Sequence, residues 1–562
     1  MSMTKDPKQN PENEQQLSDS QESGLLTNDD TAAFSTFFAE SPVPQKPMKK
    51  KGGMSKGAKG VICGAGVVAI LGGTLAVLKL TEQDDPADSS SQVDQSGVVS
   101  LWHIADSGDI AAVEVEQPDG ADFSVHRVIE KQESTDPTTG QTVVDEVENY
   151  YLDGYEDLPT STVDIRTLAT RVASISSSDI IQENTPAGDL AKYGLDQPIR
   201  VTLTVDDADD ICFFLGDISP SSYYSYLCME GEDTVYTVES SAMAQYRVDW
   251  KDYLSTNVTE EQAEDDESHI EDVRIERADL DYDFHLVYDP FYVENPNGGS
   301  SAVHVMKEPI NCLLSGDKSS GATHGIYAMT ASQVVYPHPT EQQLADCGLT
   351  DEDFFARVTT KISTGKTVTF FLGKTYETQI EDENGDPQTV TYRYGYIDTV
   401  DCIYGFAADD TVYEKLQPSD ITSKIIVDTY VWDIGRLTYT AGDLKLDFKG
   451  IGSSSDDYVV TCNGEEVEAE RFRLLYTYLL KTAAEDLVLE DIEMTGTPLA
   501  TVELERQDGK RSLSVAFYEA DGMKTYIVVN GEARFLCRKA YVTTLISNME
   551  IFHTDQDFTM TW

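Results

Sequence analysis

The run VICGAGVVAILGGTLAVL at 61–78 carries no charge and little that is polar beyond Thr74. A helix rising about 1.5 Å per residue covers most of a ~30 Å hydrocarbon core over that length, and a snorkelling Lys79 with Leu80 completes it. One transmembrane helix is therefore predicted over 61–80. Lys49, Lys50, Lys51, Lys56 and Lys59 precede it and EQDDPADSSS follows it, so the positive-inside bias puts the N-terminus in the cytoplasm. Everything after the span is then extracellular. A cleaved signal peptide has a shorter apolar stretch near its start and a small-residue cleavage site, and neither is present here. Cys63 lies at the start of the run, whereas a lipidated cysteine follows its apolar stretch. Ala65, Ala69 and Gly73 fall at i, i+4 and i+8, a small-residue stripe that lets a second membrane helix approach closely.

Composition changes at the same place. Residues 1–60 hold eight Lys and eight Asp/Glu among many Gln, Asn, Ser and Pro, too little apolar surface to offset ordering entropy. A disordered cytoplasmic tail is expected, with AAFSTFFAE at 32–40 as its one apolar island. The net charge of −59 is carried by the part after Lys79. So strong an acidic excess repels nucleic acid, anionic lipid and anionic wall polymers. It leaves a soluble acidic surface or a loose store of divalent cations. Seven cysteines lie beyond the span, an odd number without C-x-x-C or zinc spacing. Cys212 and Cys228 flank Pro220 in an apparent hairpin, either bonded to each other or buried as small apolar residues.

The exterior part repeats itself. DIIQENTPAGDLAKYGLDQP at 179–198 is followed by CFFLGD at 212–217 and EDTVYTV at 232–238; QVVYPHPTEQQLADCGLTDE at 333–352 is followed by TFFLGK at 369–374 and DDTVYEK at 409–415. Ile181, Leu190, Gly194 and Leu195 match Val335, Leu344, Gly348 and Leu349 at one offset of 154, Gly216 matches Gly373 at 157, and Tyr236 is paired with Tyr413 at 177. A polar hairpin tip at 377–391 supplies the insertion that this drift requires. Two homologous modules follow.

In the first module Ile165, Leu168, Ala169, Val172 and Ile175 predict one helical face, with Ser161 and Asp164 at capping-box spacing. RVTLTV, ICFFLG, SYYSYL and TVYTVE then predict a four-stranded meander, followed by a closing helix SSAMAQYRVDWKDYL. Three further strands, AAVEVEQ, FSVHRVIE and VENYYLDG, precede the first helix. A third module is expected from RFRLLYTYLL, with Phe472, Leu475 and Leu479 on one face, then four strands joined by turns such as QDGK, and a last helix AYVTTLISNM. The fold class is thus α+β: tandem modules of antiparallel meander plus helices behind a single transmembrane helix. The expected divisions are a tail at 1–60, the span at 61–80, an acidic linker at 81–97, and modules at 98–258, 266–430 and 431–562.

YGLDQP, FFLGD, the tyrosine-rich YYSYL and DTVYTV resemble the bacterial family known as domain of unknown function 4340. The likeness covers most of the first module and recurs in degenerate form as CGLTDE, FFLGK and DTVYEK. Thr350, Asp351 and Glu352 stand where the first copy has Asp196, Gln197 and Pro198, so a ligand read by that segment is not bound identically by both. The resemblance implies an N-terminal membrane tether and, for some members, a genetic neighbourhood of ABC-transporter subunits of the gliding-motility type. It implies no reaction.

Gly194 reads as a left-handed residue just past a short helix, with Pro198 preventing continuation. The histidines at 103, 126, 269, 285, 304, 324, 338 and 553 are scattered, and no H-E-x-x-H, G-x-S-x-G, P-loop or G-x-G-x-x-G occurs. EDENGD at 381–386 and DLDYD at 279–283 are oxygen-rich, but the former has glycine fourth from Asp382 and Arg393 twelfth, against calcium-loop geometry. No catalytic, cofactor-binding or metal-ligating residue is assigned, and no cofactor. The function expected is a membrane-anchored extracellular binding or scaffolding protein, not an enzyme, accessory to an ABC-type transport or cell-envelope complex. The alternative is a surface-anchored hydrolase working through a carboxylate pair, which spacing alone cannot locate among so many acids.

Overall fold

The computed structural model describes residues 98–562, except 119, 136–141, 295–301, 382–386, 455 and 482–483. The tail, the apolar span and the acidic linker lie outside the described residues. Among the described residues no helix is long and apolar enough to cross a membrane.

Three large antiparallel sheets follow one another along the chain. In the first, the order in space is Thr142–Leu152, Phe123–Thr135, Ile110–Glu116, Ile199–Val205, Ile211–Ile218, Tyr224–Met229, Val235–Glu239 and Asp179–Gln182. The second runs Cys312–Leu313, His304–Glu308, Phe284–Tyr288, Ile270–Arg277, Ala356–Ile362, Thr367–Glu381, Pro387–Ile397, Cys402–Phe406 and Gln333–Pro337. The third runs Glu465–Val467, Val459–Cys462, Leu444–Ile451, Ile434–Ala441, Ala500–Arg506, Ser512–Glu519, Lys524–Val529, Glu532–Arg538 and Asp486–Leu487. The path is alike each time. Three strands in the first sheet, and four in the second and third, step outward from the middle, a helix crosses, a short strand settles on the far edge, and a four-strand meander fills the gap. The crossing helices are Thr162–Thr170, Gly316–Thr323 and Ala469–Leu480.

The likeness reaches single atoms. Every opening strand begins on a buried isoleucine, Ile110, Ile270 or Ile434, and its pairing with the first strand of the meander slips just after that residue. A slipped residue leaves a buried carbonyl without a ladder partner, and such a group needs another donor. The Tyr150 hydroxyl supplies it to Ile110 at 2.8 Å, His304 Nε2 to Ile270 at 2.8 Å, and the Tyr458 hydroxyl to Ile434 at 3.0 Å. A carbonyl only accepts, so Nε2 of His304 carries the proton. In each of the three a buried tyrosine ties the closing segment to the crossing helix: Tyr246 donates to Leu168 O at 2.7 Å, Tyr413 to Ala322 O at 3.4 Å and Tyr541 to Leu479 O at 3.3 Å. Phe213, Phe370 and Phe517 pack against those three rings.

These atoms correct one sequence pairing. Tyr236 sits in the strand Val235–Glu239, whereas Tyr413 is in the 3-10 turn Val412–Glu414 and is 1% exposed. The structural counterpart of Tyr413 is Tyr246, and the strand of Tyr236 corresponds to Cys402–Phe406. Two further corrections concern helices. The first helix ends at Thr170, and Ile175 is buried from a short strand, Ser174–Ser176, that pairs with Ser100–His103. The serines around Ile175 compete for backbone hydrogen bonds and weaken a helix, while a lone inward isoleucine suits a strand equally well. Ser161 bonds the Asp164 carboxylate, not the backbone, so no capping box forms. The closing helix of the first module breaks into Ser240–Met243, Ala244–Arg247 and Trp250–Tyr253, because Val248 is extended and Asp249 caps a fresh turn through Lys251 N.

Two compact units result. One comprises 98–291 with 302–423, the first two sheets; the other comprises 424–562 together with 292–294. In the second unit Tyr292 donates to the Asp428 carboxylate at 2.7 Å.

Candidate functional site

The residues that carry the family likeness form a packing joint. Gly194 caps Ala187–Tyr193 at φ +66°, and Gly348 caps Glu341–Cys347 at φ +70°, both in the left-handed region. A Cβ on Gly216 would lie 2.2 Å from Tyr193 O, and one on Gly373 would lie 2.2 Å from Cys347 O. Each pair of glycines thus lets a helical turn rest directly on a meander strand. That use is structural and leaves the chemistry elsewhere.

Alternation along Phe123–Thr135 points Phe123 and Val125 into the core and Ser124 and His126 outward. The hairpin register sets Leu152 opposite Val125, and the Asp153 amide donates to Ser124 O at 2.9 Å. Asp153 therefore arrives at the outward pair. One carboxylate oxygen meets His126 Nδ1 and the other accepts from the Ser124 hydroxyl. Gly154 then turns at φ +82°, and its amide donates to Glu156 Oε1 at 3.0 Å, bringing a second carboxylate back over the same corner. The ligand atoms of His126, Asp153 and Glu156 lie within 4.8 Å of one another. His126 and Asp153 are 40% and 43% exposed. The carboxylate stands between hydroxyl and imidazole, so this is not a nucleophilic triad, which needs the hydroxyl on the imidazole. Imidazole and two carboxylates are instead a donor set for a divalent metal.

The same loop continues into a junction with the second module, within one compact unit. Tyr155 is stacked between Trp250, with centroids 4.5 Å apart, and His338 at 5.4 Å. His338 Nε2 meets Asp157 at 3.0 Å. Behind the loop, Val258 N donates to Met329 O at 2.8 Å and Ala331 N to Thr256 O at 2.9 Å. A partly open pocket of about 670 Å³ lies there, lined by Thr160, Asn257, Thr259, Glu260, Glu261 and Thr330 among others.

Several sequence candidates fall elsewhere. Asp279 of DLDYD is taken by the Arg277 guanidinium at 3.0 and 2.7 Å, so that segment is an ion pair and not a cation loop. Residues 382–386 lie outside the described residues. Cys228 faces Phe214 and Cys212 faces Thr202, so the two thiols are not opposite each other; both are free and buried, and burial pushes both up. In the second module the His304 ring packs near His324 and Tyr288, and burial, opposed in part by its bond to Ile270, holds the imidazole below its ordinary range. The His126 corner and the Tyr155 stack were not legible in advance: the corner joins positions 27 apart in a hairpin, and only the register brings them together.

No curated protein and no solved structure matches the chain. Residues 151–283 match the family described as Domain of unknown function (DUF4340), from the end of the strand that carries the corner loop into the first hairpin of the second sheet, and so the segment bearing YGLDQP and FFLGD is identified with the family it resembles.

Proposed function

We propose that this protein is a membrane-held binding protein whose extracellular modules engage an envelope or transport partner, with an ABC-type complex as the partner class suggested by the family likeness. The observation that supports this reading most is an aromatic tip on the meander of the first module. Tyr223 is 77% exposed, Ile218 49% and Tyr224 39%. The tip is held in one shape: Ser240 N donates to Tyr223 O at 2.9 Å, Ser219 N to Tyr224 O at 2.7 Å, and Ser225 and Ser240 share a hydroxyl contact at 3.1 Å. Exposed tyrosines on a backbone pinned in this way offer large contact area, and tyrosine is among the residues enriched at binding hot spots. The apolar span over 61–80 is the proposed anchor, with the small-residue stripe as a second contact in the membrane.

The experiment is recovery of partners with the full chain from membranes solubilised in mild detergent. Transporter or envelope subunits should co-purify with wild type and be strongly reduced by the pair Tyr223→Ser with Tyr224→Ser. Gly73→Leu should weaken recovery separately by blocking close helix approach. Absence of any partner, together with turnover of a wall-derived substrate by the purified protein, would replace this reading with the hydrolase alternative.

A further inference from the structure

We propose that His126, Asp153 and Glu156 bind one divalent transition-metal ion, zinc being the probe of choice. The donor set decides the class of ion. Calcium needs six to eight oxygens, whereas one imidazole with two carboxylates satisfies zinc and leaves a fourth position for water or a partner's ligand. Metal–ligand distances of about 2.0–2.1 Å bring donors roughly 3.4 Å apart in a tetrahedral site, and donor atoms already within 4.8 Å reach that by rotation of exposed side chains. Second contacts aim the ligands: the Ser124 hydroxyl holds one Asp153 oxygen and the Gly154 amide holds one Glu156 oxygen.

The electrostatics favour the same conclusion. Among the described residues no lysine or arginine forms an ion pair with Asp153 or Glu156, so two carboxylates share one imidazole. The second module has an outward histidine on its corresponding strand too, His285, bonded to Asp272 at 2.6 Å. There the third member is Arg274, with NH2 3.4 Å from His285 Nδ1 and Nε 3.9 Å from Asp272. The guanidinium supplies the positive charge, and the second corner has no need of a metal. In the first module a dication would fix the loop that also places Tyr155 and Asp157 against the second module.

The test uses the full chain in detergent, stripped of metal by chelation. Zinc is titrated against a competing chelator, and Co²⁺ is followed by visible absorption. One tight equivalent is expected. His126→Ala should weaken it by more than the ~10–100-fold that outer-shell changes cost, Glu156→Gln should weaken it measurably, and His285→Ala should leave it unchanged. His126 is half-exposed, so the variants keep their fold, which circular dichroism checks. No equivalent surviving the competitor overturns the proposal. So does a tight equivalent that persists in both His126→Ala and Asp153→Asn, or wild-type affinity in Glu156→Gln.

Discussion

The first two modules share a frame and differ at its surface. Both start on a slipped isoleucine, both rest a helical turn on a meander glycine, and both tie the closing segment to the crossing helix through a buried tyrosine. On the outward face of the second strand, however, the first module sets His126 beside two carboxylates, and the second sets His285 beside a carboxylate and an arginine. Core positions are held by packing and by the need to satisfy buried polar groups. Outward positions are free of both, so two copies diverge there first.

The comparison is broken most severely at the glycine joint. Gly216→Ala and Gly373→Ala each force a Cβ against a backbone carbonyl, and overpacking of that kind costs about 2–3 kcal/mol. Chemical denaturation should show similar losses for the two; a neutral result at either site would mean that the joint is not shared. The tyrosine tie should separate the modules more gently. Tyr246→Phe removes a 2.7 Å bond to a buried carbonyl and should cost about 1–2 kcal/mol, whereas Tyr413→Phe removes one of 3.4 Å and should cost less.

Acid distinguishes the modules at their slipped isoleucines. His304 is 3% exposed and its imidazole is held below the ordinary range, chiefly by burial. The unfolded chain therefore takes up the proton first, and stability falls as pH drops below about 6.5 until the lowered folded value is passed. Neighbouring His324 and His269 push in the same direction when charged. His304→Tyr installs the donor that the first and third modules use, and should flatten this dependence. Hydrogen exchange around Ile270 between pH 7 and pH 5 reads the effect, with Ile110, bonded to Tyr150, as the internal control.

Much of the frame was legible because alternation and turn residues report local structure directly: RVTLTV, ICFFLG and TVYTVE are strands of one meander, and Gly194 is a left-handed cap. What failed was position within a repeat. DTVYTV and DDTVYEK look alike, yet one is a strand and the other a 3-10 turn, since the shared DTVY does not carry its hydrogen-bond partners with it. The opening strands of the third module, Ile434–Ala441, Leu444–Ile451, Val459–Cys462 and Glu465–Val467, were not read because they lie before its first helix and outside the signature. The candidate site was hidden for a further reason: Ser124, His126, Asp153 and Glu156 converge only through hairpin register and one glycine turn.

A reciprocal exchange tests most directly whether one frame carries different surface chemistry in its copies. Arg274 lies opposite His285 in register, so Arg274→Glu should rebuild the first corner in the second module, and Glu156→Arg should convert the first corner to the second. Tightly held zinc, counted on the metal-stripped full chain in the presence of a competing chelator, should be one equivalent in wild type, two in Arg274→Glu and none in Glu156→Arg. An unchanged count in both variants would contradict the account.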